Sequence, residues 1–175
     1  MKILIAGPQG SGKTTQAQLL ADHFNLCFQN MGNLVRVLSK ENSDLGRGTK
    51  AALDKGQLVD DVVVANLVKN WINLKDCPNG FVFDGYPRTM SQLKLFDPNY
   101  DRVVYLDVSD EEVTRRLLKR GREDDTLEII KTRLSIYHRQ TEEVLNFYRE
   151  QSKLIQTSGM GSVEEINRNI ESQLQ

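Results

Sequence analysis

The chain has 175 residues, with 23 Lys and Arg against 24 Asp and Glu and a formal net charge of -1. That length is one domain's worth, enough to bury roughly two thirds of the unfolded chain's surface, and the even charge gives no reason to expect a nucleic acid or an anionic membrane as partner. No apolar run approaches a membrane span and the N-terminus lacks the regions of a signal peptide. Cys27 and Cys77 stand apart without CxxC or His-rich spacing, which disfavours a zinc site or a disulfide framework and points to a reducing cytoplasm.

In chain order, the apolar run KILIA predicts a buried strand, and GPQGSGKTTQ follows it. Gly7, Gly10, Gly12, Lys13 and Thr14 fill the spacing GxxxxGK followed by Ser or Thr, where Gly10, Ser11, Gly12, Thr14 and Thr15 surround the lysine. Residues without a Cβ let backbone N–H groups wrap an anion, and the next helix adds its positive end. Lys13 then reaches the outer phosphates and the Thr14 hydroxyl can ligate Mg2+. A triphosphate is the natural occupant; the plain alternative is a glycine-rich turn between strand and helix.

Ala17, Leu20, Ala21 and Phe24 keep helical spacing, LCFQ near position 27 reads as a second strand, and Val64, Leu67, Val68 and Trp71 mark another helix. Between them, residues 30 to 60, with Gly46, Gly48 and Gly56, read as short helices and turns that leave the core. The third strand, GFVFDG, ends in Asp84, and Arg88 follows four residues later in DGYPRTMSQ. An acid there can hold Mg2+ waters opposite Thr14, and an arginine after a proline-fixed turn can grip a second phosphate group. Asp84 alone could equally cap the next helix.

RVVYLDV and KLIQTS give two more strands, and Ser109 with Glu112, Asp125 with Glu128 and Ser162 with Glu165 have the spacing of helix capping boxes. The helix opening near Asp125 carries an apolar stripe of about six turns and is expected to be the longest. Around Gly121 and the pair Asp124 and Asp125 cluster Arg115, Arg116, Arg120, Arg122 and Arg133. Arg115 and Lys119 read as a solvated face. Arg120 and Arg122 sit at a helix junction, where phosphoryl transfer between two anions needs positive charge. The alternation of strand and helix predicts an α/β fold of the P-loop NTPase type, a doubly wound, five-stranded parallel sheet flanked by helices.

With these residues in view, the sequence resembles the adenylate kinase family of nucleoside monophosphate kinases. The matching blocks are GPQGSGKTTQ, MGNLVR, KGQLVDD, DGYPRTMSQ, RRLLKRGREDD with the later TRL, and TSGMGSVEE. The resemblance implies one domain over 1–175, with an acceptor-binding insertion near 30–60 and a lid near 120–124. It makes Lys13 the ligand of the β- and γ-phosphates and Arg36 and Arg88 the clamps on the monophosphate. Met31, Gly56, Leu58, Val59 and Gly85 would line the acceptor site, with Gln92 reading the base. Arg116 would stack on the donor adenine near Gly161, while Arg120, Arg122 and Arg133 surround the phosphates. A cis bond at Tyr86-Pro87 is also implied.

The reaction expected is reversible transfer of the γ-phosphoryl group from Mg-ATP to AMP, giving two ADP, by a cytoplasmic monomer without zinc, nucleic acid or membrane partners. Gln92 in PRTxxQ favours AMP, since an amide matches the adenine edge. Met31 and Asn33 depart from the family's usual threonine or serine and aspartate, and only Gly121 separates Arg120 from Arg122, a lid short enough to leak ATP to water. The rival readings are a UMP/CMP or other small-acceptor kinase, and a nucleotide-dependent switch or assembly factor with slow ATPase.

Overall fold

A computed structural model describes residues 1–123 and 125–174. Its sheet contains β1 (Lys2–Ala6), β2 (Cys27–Asn30), β3 (Phe81–Asp84), β4 (Arg102–Asp107) and β5 (Leu154–Ser158), all five of them parallel, in the order β2-β3-β1-β4-β5. Each strand falls on an apolar run of the sequence. Ile5 lies level with both Asp84 and Val104, so the carboxyl ends of β1, β3 and β4 form one edge. The chain builds β2 and β3 on one side of β1 and β4 and β5 on the other, and a ligand crevice opens where the winding reverses.

Burial on both faces explains why β1 reads as a continuous apolar run. Ile3 and Ile5 pack with Ala17 and Leu20 of α1 (Lys13–Phe24) and Ile166 and Ile170 of α9 (Val163–Leu174). Leu4 and Ala6 face the other layer, with Val68 and Trp71 of α4 (Asp61–Leu74) and Tyr148 of α8 (Glu142–Glu150). Between β2 and α4 lie α2 (Met31–Leu38) and α3 (Asp44–Asp54); α5 (Met90–Leu95) follows β3, and α6 (Asp110–Arg120) follows β4. The Tyr86-Pro87 peptide is cis, as the resemblance implied.

Local capping rules hold in part. Ser162 and Glu165 form the reciprocal pair. Ser109 accepts from the Glu112 N–H at 3.4 Å, but the Glu112 carboxylate turns to Arg115 and Arg116 instead of back to the cap. The long helix is α7 (Leu127–Ile136), a π turn at Tyr137–Thr141, and α8. Its cap is Thr126, which accepts from Ile129 N–H at 3.3 Å, and not Asp125, whose fully buried carboxylate is taken by arginine. Within the π turn, Thr141 donates to the Arg88 carbonyl at 3.2 Å, tying this helix to the loop after β3.

The cysteines also differ from expectation. Cys27 and Cys77, 50 residues apart, form a disulfide. Pairing β2 with β3 brings the start of β2 beside the loop that enters β3, with Cys27 opposite Phe81; spacing rules do not see that proximity. Among the described residues no helix is long and apolar enough to cross a membrane.

Candidate active site

The loop after β1 departs from ordinary helix chemistry. Gly7, Gly10 and Gly12 have φ of 143, 91 and 94 degrees, a region that side chains with a Cβ rarely adopt. Gly12 caps α1 with no side-chain hydrogen bond, and the first turn has no acid but instead Lys13, the reverse of what the helix dipole favours. The N-terminal N–H groups of α1 therefore lack a side-chain cap, the arrangement that suits an anion. The Ser11 hydroxyl is buried there without a hydrogen-bond partner. Lys13 donates to the Pro8 carbonyl at 2.8 Å. Burial lowers its pKa to about 8; Asp84 opposes the shift, and Arg88 and Arg120 add to it.

Beside the loop, Thr14 donates its hydroxyl to Asp84 Oδ2 at 2.5 Å. Asn30 Nδ2 donates to both, at 3.1 Å to Thr14, while its Oδ1 accepts from the Asn33 N–H at 2.9 Å and caps α2. Asn30 therefore links the phosphate loop to the first helix of the 30–60 segment; nothing in its sequence neighbourhood signals that. The hydroxyl and carboxylate are hard oxygen donors that suit Mg2+ shared with substrate phosphates. Among the described residues, no group of three or more His, Cys, Asp or Glu gathers into a metal cage.

A cavity of about 390 Å3 opens between the loop, α2, α3 and α7, and Lys13 reaches it. Met31, Gly56, Leu58 and Val59 supply apolar or backbone wall, and Gly85, Arg36, Arg88, Gln92 and Arg133 the polar part. Arg88 donates from Nε to the Gly85 carbonyl at 3.0 Å. Its pKa is lowered chiefly by burial; Asp84 opposes that, and the nearby Arg133 and Arg36 push it further down. Cations are thus held close enough to repel one another. Gln92 is 2% exposed, accepts from Arg88 N–H at 2.7 Å and donates to Asp61 at 2.9 Å; sequence reasoning did not single out Asp61.

On the donor side, Ser11, Gly12, Thr15, Arg116 and Gly161 line a shallower hollow. Arg116 is pinned to Glu112 at 2.6 Å and the Gly159 carbonyl at 3.0 Å, and a planar guanidinium held in this way can stack on an aromatic base. The Arg115 and Arg116 hydrogen bonds in turn draw the Glu112 pKa down to about 2. Arg120 makes two bonds of 2.7 Å to Asp125, and Arg133 lies 3.7 Å from the same carboxylate.

Arg122 is exposed and does not line the cavity. Gly121, with φ of 66 degrees, ends α6, and the Arg122 backbone N–H donates to Asp125 at 3.4 Å. Asp124, which completes the expected lid, lies outside the described residues.

A family model described as adenylate kinase matches residues 5–153. The chain belongs to the adenylate kinase family. It is 38% identical to an adenylate kinase of Bifidobacterium longum, with 100% of both chains covered, and 38% identical to one of Leptospira biflexa, with 97% of each covered. Against adenylate kinase 1 of a Nostoc species it is 36% identical over 99% of this chain and 98% of that one. The chain is thus an enzyme, a nucleoside monophosphate kinase that transfers a phosphoryl group between ATP and AMP; neither the UMP/CMP kinase nor the switch reading is favoured.

Proposed function

We propose that the γ-phosphoryl group passes from ATP, held on the phosphate loop, to AMP in the 390 Å3 cavity, with Lys13 and Arg88 at the point where the two phosphate chains meet. The observation that carries this is the convergence of Lys13, Arg36, Arg88 and Arg133 on one cavity, where burial first and neighbouring arginines after it lower the proton affinities of Lys13 and Arg88. Cations gathered in this way, with Asp84 opposing the shift at both Lys13 and Arg88, suit the phosphates of two nucleotides. No general base is required, because the acceptor phosphate oxygen is already a competent nucleophile and catalysis is positioning plus charge stabilisation.

In this reading Gly10, Ser11, Gly12, Lys13, Thr14 and Thr15 cradle the donor phosphates, while Arg116 and Gly161 flank the donor base. Met31, Arg36, Gly56, Leu58, Val59, Gly85 and Arg88 hold AMP, and Gln92 faces its base. Arg120 and Arg133 close on the transferring group, with Arg122 joining only if the turn at Gly121 swings inward. Thr14 and, through water, Asp84 would hold Mg2+. Bound there, the ion would offset the negative charge of the donor phosphates.

The segment near 30–60 serves as the acceptor insertion and that near 120–124 as a minimal lid. The enzyme acts as a monomer in the cytoplasm; the Cys27–Cys77 bridge, which a reducing compartment opens, is the observation that weighs against this placement. Calorimetry tests the core of the proposal: ATP and AMP should each titrate one site, and a bisubstrate mimic joining two adenosines through phosphates should fill both. A single nucleotide site indifferent to AMP would end it.

A further inference from the structure

The acceptor cavity contains an amide held in one orientation by two neighbours of opposite character. Gln92 lines the cavity and is 2% exposed. Its Oε1 accepts from the backbone N–H of Arg88 at 2.7 Å, and its Nε2 donates to Asp61 Oδ1 at 2.9 Å. A backbone N–H can only donate and a carboxylate can only accept. Turning the amide over would set donor against donor and acceptor against acceptor at a side chain that is 2% exposed.

Asp61 is itself anchored. It is the first residue of α4, and its Oδ2 accepts from the Thr89 hydroxyl at 3.2 Å. Thr89 in turn accepts from the Gln92 N–H at 3.0 Å and caps α5. The starts of two helices therefore clamp one glutamine from both its backbone and its side chain.

Those two side-chain bonds consume one of the amide's donors and one of its acceptor positions, leaving one of each in a fixed order. Purines differ in this order: a 6-amino purine offers a donor beside a ring acceptor, a 6-oxo purine an acceptor beside a ring N–H. A glutamine able to turn over would meet both. We infer that Asp61 is the positioning residue that makes the acceptor site select a 6-amino over a 6-oxo purine monophosphate, by preventing the Gln92 amide from turning. This rests on the reading of Gln92 as the group that faces the acceptor base.

The test compares kcat and KM for AMP and inosine monophosphate, with Mg-ATP as donor, in the unsubstituted enzyme, Asp61→Asn and Gln92→Ala. The side chain introduced by Asp61→Asn can donate or accept, so only the Arg88 N–H still opposes the turn. The AMP to inosine monophosphate ratio of kcat/KM should fall roughly tenfold to a hundredfold, with the 6-oxo substrate losing less than AMP or gaining. A merely structural role lowers both substrates together and leaves the ratio unchanged, which overturns the inference.

Gln92→Ala separates the two ideas. If it abolishes the ratio while Asp61→Asn preserves it, Gln92 reads the base and Asp61 does not govern it. If Gln92→Ala keeps the ratio, the reading of Gln92 fails and the inference with it. Should Asp61→Asn not fold, Thr89→Val removes one of the two anchors of Asp61 and should lower the ratio by about twofold to fivefold; an unchanged ratio there also overturns the inference.

Discussion

The donor and acceptor sides of the crevice treat their arginines differently. On the donor side each guanidinium answers to an internal carboxylate, Arg116 to Glu112 at 2.6 Å and Arg120 to Asp125 at 2.7 Å. On the acceptor side Arg88 donates to the Gly85 carbonyl and sits near enough to Arg133 and Arg36 for both to depress its proton affinity. The donor side is thus latched by carboxylates of its own, whereas on the acceptor side burial and the neighbouring arginines lower the proton affinity of Arg88 against the pull of Asp84.

The largest effect expected on this contrast comes from Arg88→Ala, which should lower turnover by about 10³-fold or more while the melting temperature moves by no more than a few degrees; near-normal turnover would remove the acceptor assignment. Next, Asp125→Asn should break the donor latch. Its carboxylate is fully buried against two arginines, so denaturant titration should show a loss of roughly 2–4 kcal/mol, below the full range for a buried pair because Arg120 remains partly in water. Unchanged stability would mean that the carboxylate holds nothing.

Acid-base behaviour sharpens the comparison further. Lys13, lowered to about 8 by burial, carries its charge below that pH and loses it above. The kcat/KM for ATP should therefore decline roughly tenfold per pH unit above the folded-state value. At saturating ATP the bound phosphates raise the Lys13 pKa, so the decline in kcat should begin at higher pH. The same shift makes the ligand-free fold gain stability as pH rises from about 8 towards the ordinary lysine value of 10.5, because the unfolded chain then holds the extra proton. A pH profile for ATP that stays flat through this range would show that Lys13 is not the group engaged. The smallest effect concerns water: the brief turn between α6 and α7 should permit an AMP-independent ATPase a fewfold above that of a long-lid relative under matched conditions, and an equal or lower rate would count against a leaking lid.

Much of the crevice was legible because its signals are local. Gly7 to Thr14 announce an anion site through residue types at fixed spacing, and the caps at Ser109 and Ser162 act across a single turn. Asp125 misled for an equally physical reason. It stands where a cap would stand, but Arg120 and Arg133 compete for its oxygens, leaving Thr126 to start the helix. Arg122, by contrast, is left exposed just past the left-handed glycine that ends α6. Asn30, Asp61 and the Cys27–Cys77 bridge gave no signal, since each acts on residues brought near only by the sheet or by the packing of α4 on α5.

The chain alone therefore determined the alternation of strand and helix, the phosphate loop and the family, because apolar periodicity and close-range backbone chemistry need no knowledge of distant neighbours. Tertiary structure decided which carboxylate each arginine holds and which way the Gln92 amide faces. Those outcomes depend on partners such as Asp61, 31 residues from Gln92, and a hydrogen bond with one permitted direction forms only after packing has placed its donor and acceptor within reach.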